Sequence, residues 1–220
     1  MIKVLVWCEN QQNKTDDAVK AVYPNFMHNT IADFLNTQED ITATTATLDD
    51  ENCGITDAVL AETDVLIWWG HIAHHLVPDE IAKKIQNRVL DGMGLIPLHS
   101  AHYSKPFKLL MGTECGLRVP LFSKEKVWCT LPGHPIAKGV PNPIEIPEEE
   151  GYAEEFKIPQ PDELVFIGGF ENCFVFRSGC AYHRGKGKVY YFQPGHETLP
   201  IFFMPEIQQV IINAVRWAKM

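Results

Sequence analysis

The sequence predicts an α/β fold in which helices cover both faces of a mainly parallel central sheet. Two observations support this. Apolar runs alternate with segments of helical apolar spacing through the first half of the chain, as in βαβ units. Runs such as "DVLIWWG" are apolar almost throughout, as is typical of parallel strands buried on both faces. No repeat or linker divides the 220 residues, so we expect one domain over residues 1–220.

The first half of the chain supplies the clearest elements. Four strands are predicted, near residues 2–7, 42–47, 65–69 and 95–98. Helices are expected in "HNTIADFLN" and in "PDEIAKKIQNRVLDG", where Ile81, Ile85 and Val89 are four residues apart. Pro78 and Asp79 stand at the start of the second segment and Gly92 near its end, which are the preferred helix boundaries.

The second half predicts short strands separated by turn residues, and hence a mixed extension of the sheet. "VWCTL", "LVFIGGF", "CFVFRSG" and "KVYYFQPG" are the candidate strands. The segment Pro141–Glu163 is rich in Pro and Glu, so we expect a surface excursion there. Pro205–Ala218 has an apolar face and should close the chain as a helix.

Composition and charge exclude several partners. The net charge is −9, whereas nucleic acids and anionic membranes are bound by basic surfaces. No apolar stretch is long enough to cross a bilayer, and "IKVLVW" after Met1 reads as a strand rather than a signal peptide. The six cysteines contain no C-x-x-C pair. We therefore expect a cytoplasmic protein with reduced thiols and a small-molecule substrate, in a homo-oligomer.

Chemically active side chains collect at the predicted carboxyl ends of strands, where open parallel sheets place their sites. "GLIPLHSAH" is the clearest case, because a buried strand ends in two imidazoles and a hydroxyl. If the strands are parallel, these groups should converge on one cleft. The residues concerned are Glu9, His71, His74, His75, His99, Ser100, His102, His183, His196 and Glu197.

Two kinds of chemistry suit this set. Imidazoles with a carboxylate can bind Zn²⁺ or Mn²⁺, and His71, His99 and His196 are the candidate ligands. The same groups suit proton transfer near neutral pH. Backbone N–H groups and the helix dipole at the "LHSAH" turn should keep His99 neutral. Ser100 could act as a nucleophile, but the G-x-S-x-G glycines are missing around it.

Several ordered motifs resemble the ThuA-like, trehalose-utilisation family. They are "LHSAH" after a strand, "HPIAKGV", "EEEGYAEEF" and "KVYYFQPGHETLP". The resemblance extends from "VLVWCEN" to the helix that follows "PGHETLP". It implies the fold of class I glutamine amidotransferases, with a flavodoxin-like core. Aligning "PLHSA" with the nucleophile turn of those enzymes puts His99 at the cysteine position and His196 near the triad histidine. Glutamine hydrolysis through a thioester would then be unavailable.

The resemblance also implies a carbohydrate substrate, namely trehalose or a related disaccharide, and acid/base chemistry on a 3-keto sugar. Two alternatives stay open: a non-catalytic sugar-binding or partner protein, and an amide hydrolase. The expected catalytic residues are His99, Ser100, His196 and Glu154, the last from the acidic loop that the resemblance places over the site. The expected substrate-binding residues are Glu9, Trp69, His102, Tyr103 and Glu197.

Overall fold

A computed structural model describes residues 1–219, and nine strands in it form one sheet of order β2-β1-β3-β4-β9-β8-β7-β5-β6. The strands are β1 (Ile2–Cys8), β2 (Ile41–Thr47), β3 (Val65–Trp69), β4 (Gly94–Leu98), β5 (Ser123–Cys129), β6 (Ile144–Glu149), β7 (Glu163–Phe170), β8 (Val175–Arg184) and β9 (Gly187–Phe192). The helices are α1 (Gln12–Thr15), α2 (Asp17–Val22), α3 (Met27–Asn36), α4 (Asp57–Glu62), α5 (Asp79–Leu90), α6 (Lys105–Met111) and α7 (Pro205–Lys219).

The first four predicted strands are confirmed, and they are parallel. β1 pairs with β2 and β3, β3 pairs with β4, and β4 pairs with β9, all in parallel register. The order β2-β1-β3-β4-β9 is that of a flavodoxin-like sheet. The carboxyl ends of these strands consequently lie along one edge.

A mainly parallel sheet is correct for only half of the molecule. The pairings β9–β8, β8–β7, β7–β5 and β5–β6 are all antiparallel. A turn of two residues, Gly185 and Lys186, joins β8 to β9. A connection this short can join only antiparallel strands, because parallel strands need a long crossover. The predicted mixed extension of the second half is therefore as large as the parallel half.

Helices cover both faces of the parallel half, as predicted. One face packs α3 and α7 against alternate residues of β1 such as Val4 and Val6. On the other face, Leu5 and Trp7, the intervening residues of the same strand, share a second core with buried residues of α5 and α6. The two-residue alternation of a strand thus feeds two separate cores. Among residues 1–219 no helix is both long and apolar enough to cross a membrane.

The prediction of a surface excursion over Pro141–Glu163 is wrong for its centre. Ile144 and Ile146 alternate with exposed residues and form β6, the last strand of the sheet. Glu149, the last residue of β6, and Tyr152, three residues further on, are 0% and 1% exposed. The Pro and Glu content of the segment concealed this strand, because the apolar positions are only every second residue.

Candidate functional site

Three histidines from different strand ends meet at the edge of the sheet. His71 follows β3, His99 follows β4 and His196 lies beyond β9. Their ring centroids are 6.5 Å apart for His71–His99, 5.9 Å for His71–His196 and 5.5 Å for His99–His196. The structure therefore brings together the three residues that the sequence predicts to share a cleft.

His99 occupies a strained turn between β4 and the 3₁₀ segment His99–Tyr103. Its φ is 51°, a left-handed conformation that costs energy for a residue with a Cβ. Its Nδ1 donates to the carbonyl oxygen of Gln193 at 2.8 Å, so Nε2 is the nitrogen that faces the cluster. Nε2 lies 3.1 Å from Glu150 Oε2 and 3.3 Å from the hydroxyl of Tyr152.

The expectation of a neutral His99 is not supported. Burial opposes its protonation, but the hydrogen bond to Glu150 and the charges of Glu149, Glu150 and Glu197 outweigh burial and raise the pKa of His99 to about 9. The helix dipole on which the expectation relied is weak here, because a 3₁₀ turn separates His99 from the seven-residue helix α6. His99 is also 0% exposed, and its Nε2 faces Glu150 and Tyr152 rather than solvent.

Glu150 is the site residue that sequence reasoning missed. Its side chain is 13% exposed; Oε2 contacts His99, and Oε1 lies 4.0 Å from His196 Nε2. Burial by itself would raise the pKa of Glu150, but the hydrogen bond and charge of His99 have the larger, opposite effect. The pKa of Glu150 is therefore lowered, and the carboxylate is ionised. The available signal was the run "EEE" in the acidic segment, whose other end supplies the predicted Glu154.

Glu154 does not reach the cluster. Its two carboxylate oxygens accept from Arg177 Nε at 2.8 Å and Nη2 at 2.9 Å, and the backbone N–H of Phe156 also donates to it. These bonds fasten the segment after β6 to strand β8. Its role is to anchor the segment that carries Glu150 and Tyr152, and the predicted catalytic role has no geometric support.

His196 presents one nitrogen to the carboxylates. Nδ1 lies 2.9 Å from Thr198 Oγ1 and 3.2 Å from the backbone nitrogen of Thr198. Nε2 lies 3.7 Å from Glu197 Oε2, and the half-exposed Phe122 covers the ring with centroids 4.8 Å apart. Burial and the charge of His99 lower the pKa of His196 to about 4, so its imidazole is neutral.

Glu197 links His71 to the N-terminal part of the chain. Its Oε1 accepts from His71 Nδ1 at 2.8 Å and from Gln12 Nε2 at 3.3 Å. Burial raises the pKa of Glu197, but the hydrogen bond and charge of His71, with the charge of His196, outweigh burial and lower the pKa to about 2. The structure thus places this predicted substrate-binding residue within the histidine cluster.

Glu9 and Ser100 hold the backbone near the cluster. The buried Glu9 carboxylate accepts from the backbone N–H groups of Ile72 at 2.8 Å and Ala73 at 3.0 Å, which fixes the loop that carries His71. The Ser100 hydroxyl donates to the carbonyl of Gly70 at 2.9 Å. No histidine is within hydrogen-bonding distance of that hydroxyl among the described residues, so Ser100 has no base to activate it.

The other predicted binding residues also have structural partners. The buried Trp69 indole donates to the carbonyl of Gly195, and the buried His102 pairs through Nδ1 with the carbonyl of Cys115. Burial lowers the pKa of His102 to about 3. Tyr103 is 47% exposed, with Lys108 Nζ 3.1 Å from its ring centre. His183 lies at the opposite end of the strands from the histidine cluster, because β8 is antiparallel to β9.

Two overlapping groups have the composition of a metal site. They are His71, His196 and Glu197, and His99, Glu150 and His196; in each, the potential ligand atoms lie within 4.8 Å of one another. The predicted set of His71, His99 and His196 is therefore divided between the two groups. A cavity of about 750 Å³ between α5 and α6 is lined by none of these residues.

Comparisons with known proteins identify the fold and the family. A ThuA-like protein from Bacteroides uniformis ATCC 8492 matches with TM-score 0.69 and 16% identity, over 99% of this chain and 91% of that chain. A cytoplasmic protein from Salmonella typhimurium LT2 matches with TM-score 0.64 and 14% identity, over 100% of both chains. A GMP synthase component from Thermoplasma acidophilum matches with TM-score 0.51 and 16% identity, over 98% of this chain and 93% of that chain.

These solved structures share the fold of this chain. No curated protein matches the chain. The family model for ThuA, described as trehalose utilisation, matches residues 3–218. That match spans nearly all of the sequence, and the chain therefore belongs to the ThuA family.

Proposed function

We propose that this protein is a carbohydrate-processing enzyme that moves a proton next to the carbonyl group of a keto-sugar. Its family supports a role in the use of trehalose or a related disaccharide. The observation that carries the proposal is the pairing of Glu150 with His196. A carboxylate oxygen and an imidazole nitrogen face each other across 4.0 Å, beside the partly exposed His71.

The chemistry follows from the acidity of a C–H bond beside a carbonyl. Glu150 would take that proton, and the electron pair would move onto the carbonyl oxygen, which would lie on the His196 side. The electrons then either expel a glycosidic oxygen from the next carbon, with that oxygen taking up a proton, or bind a proton at the former carbonyl carbon. In the second case the enolate oxygen takes up the proton that the neighbouring hydroxyl loses as that hydroxyl becomes the new carbonyl. The first outcome is an elimination and the second an isomerisation.

His99 acts through Glu150 in this proposal. It is buried, and its Nδ1 is fixed by the carbonyl of Gln193, so its Nε2 holds one oxygen of Glu150 in place. The other oxygen is left free to face a substrate. His99 is therefore a positioning residue, and Glu150 is the catalytic base.

The amide-hydrolase alternative lacks a nucleophile. Burial raises the pKa of the Cys8 thiol to about 12, and the Ser100 hydroxyl is committed to a backbone carbonyl. A non-catalytic sugar-binding role is the remaining alternative. A cytoplasmic location is part of the proposal, supported by the Salmonella protein of the same fold that is described as cytoplasmic.

Proton exchange tests the proposal directly. The purified protein is incubated in D₂O with a 3-keto-disaccharide such as 3-keto-trehalose, and NMR follows loss of the proton next to the carbonyl. Glu150→Gln should lower the enzymatic exchange rate by about 10²–10⁴-fold, as expected for loss of a general base. Glu148→Gln is the matched control from the same segment and should lower it by less than about tenfold, since the Glu148 side chain is exposed.

Binding of the keto-sugar without any exchange or turnover by the wild type would favour the non-catalytic alternative. Equal losses in the two variants would contradict the assignment of Glu150 as base. Thermal unfolding measured in parallel separates a loss of chemistry from a loss of fold.

A further inference from the structure

One oxygen of the buried Glu197 carboxylate has no partner. Glu197 is 4% exposed, and Oε1 accepts the two hydrogen bonds from His71 and Gln12. Oε2 is inaccessible to solvent and has no donor among the described residues. Leaving a buried charged acceptor unsatisfied is costly, so this oxygen calls for a positive or proton-donating group that the chain itself does not supply.

We infer that His71, His196 and Glu197 bind a divalent metal ion, with Zn²⁺ as the ion that best matches their donor atoms. Two imidazoles and one carboxylate form a ligand set that zinc enzymes use while leaving a fourth position open. The unpartnered Oε2 points toward His196 Nε2 at 3.7 Å, a separation too long for a hydrogen bond. Two ligands of one ion need not touch each other, so this gap is compatible with an ion between them.

The second group, His99 with Glu150 and His196, is a poorer candidate. His99 Nε2 already contacts Glu150 and Tyr152, and its Nδ1 donates to Gln193. An ion there would displace satisfied hydrogen bonds in a part of the cluster where His99 is 0% exposed. His71, by contrast, has a side chain that is 30% exposed, which leaves an entry path and a free coordination position.

The surroundings of the chosen group resemble those of a metal site. A histidine ligand usually donates its second nitrogen to an oxygen. With an ion on Nε2 of His196, Nδ1 would carry the proton and donate to Thr198 Oγ1 at 2.9 Å, in place of the 3.2 Å contact in which the backbone N–H of Thr198 donates to Nδ1. Gln12 holds the opposite oxygen of Glu197 in place. Glu9 fixes the loop of His71 through two backbone N–H groups.

The charges around the site suggest a catalytic role for the ion, and this role rests on the proposed function. The carboxylates of Glu150 and Glu197 flank the position where an enolate oxygen would develop negative charge. A divalent cation beside His196 would offset that repulsion and polarise the keto group. Binding itself, however, requires no sugar and is measured separately.

Titration calorimetry on the full chain tests the inference. The protein is stripped with a chelator and titrated with ZnCl₂ or MnCl₂, with thermal unfolding followed in parallel. We expect one ion per chain and a rise in melting temperature. Glu197→Gln and His71→Ala should each lower the affinity by more than 10²-fold. Thr198→Val, which keeps all three ligands, should lower it by about 10–100-fold. His75→Ala, an exposed histidine of the same loop, is the matched control and should bind normally.

Three outcomes would overturn the inference: no binding by the wild type, loss of binding in His75→Ala with retention in Glu197→Gln, or loss in Glu150→Gln alone. If Glu197→Gln does not fold, Thr198→Val and His71→Ala decide the matter. Because no sugar is present, a negative result would leave the keto-sugar proposal standing. Failed deuterium exchange would equally leave the cation site standing.

Discussion

At the scale of single residues, Glu149 holds the two halves of the candidate site together. Its fully buried carboxylate accepts from the backbone N–H groups of Glu150 at 2.8 Å, Gly195 at 2.8 Å and His196 at 3.3 Å. Burial raises its pKa to about 7. The same side chain thus sets the backbone position of Glu150 and of His196, which come from segments far apart along the chain.

We predict that Glu149→Gln destabilises the protein at pH 8, where the carboxylate is ionised. An amide offers one acceptor and turns an N–H₂ group toward backbone donors, which should lower the free energy of unfolding by about 1–3 kcal/mol. Urea unfolding measures this. Glu148→Gln, one residue earlier and exposed, is the control and should change the free energy by less than about 0.5 kcal/mol. Equal stabilities of the two variants would show that the three bonds do not matter.

His99 predicts a pH dependence of stability. Its pKa is raised from 6.5 to about 9 in the folded protein, because its hydrogen bond to Glu150 and the nearby carboxylates outweigh burial. A raised pKa means that the imidazolium stabilises the fold fully below pH 6.5 and that this stabilisation is lost as the pH rises through 9. The difference in unfolding free energy between wild type and His99→Asn should therefore shrink over that range.

Denaturant titrations of chelator-treated protein, run at about every pH unit from pH 6 to 10, measure the difference in unfolding free energy between wild type and His99→Asn. His183→Asn changes an exposed histidine at the far edge of the sheet, and it should show no such trend. A difference between wild type and His99→Asn that stays constant with pH would contradict the ion pair with Glu150.

At the scale of elements, strand β7 passes too close to its neighbours for a side chain at Gly168. A Cβ there would lie 2.1 Å from Glu125 Oε1 and 2.3 Å from Ser178 Oγ, both buried. Gly168→Ala should therefore lower the free energy of unfolding by about 1–3 kcal/mol through overpacking. Gly133→Ala is the control, because a Cβ at Gly133 meets nothing within 4 Å. Similar melting temperatures for both variants would refute this close approach.

The elements that the sequence predicted best are those with continuous apolar runs. β1, β3 and β4 are buried on both faces, so their patterns are unmistakable, and the residues that follow β3 and β4 include His71 and His99. β6 escaped detection because Ile144 and Ile146 are its only clear apolar signal within a Pro- and Glu-rich segment. Local pattern cannot show that an edge strand completes the sheet, since its pairing partner is remote in sequence.

At the scale of the whole molecule, exposed apolar side chains gather on the segment before β5. Val119, Leu121 and Phe122 are 56%, 84% and 42% exposed. The side chain of Asn172, just before β8, donates to the carbonyl of Leu121, and Val175 at the start of β8 is 51% exposed. Patches of this kind are typical of contacts between proteins. We therefore predict a homo-oligomer, to be measured by light scattering. Leu121→Asp should yield monomers, whereas Thr113→Asp, at another surface position, should not; a monomeric wild type would contradict the prediction.

The sequence by itself indicated the fold family through motifs that resemble the ThuA family. It also determined the parallel half of the sheet and the meeting of His71, His99 and His196, because these depend on local periodicity and on the rule that the carboxyl ends of parallel strands lie together. Only the tertiary structure decided which carboxylate joins them. Glu150 and Glu154 lie in one acidic run, but Arg177 on β8 takes Glu154, and His99 takes Glu150. The charge state of His99 was equally undecidable from the sequence. A pKa depends on which charges surround a buried group in space, and that arrangement arises only when distant segments pack together.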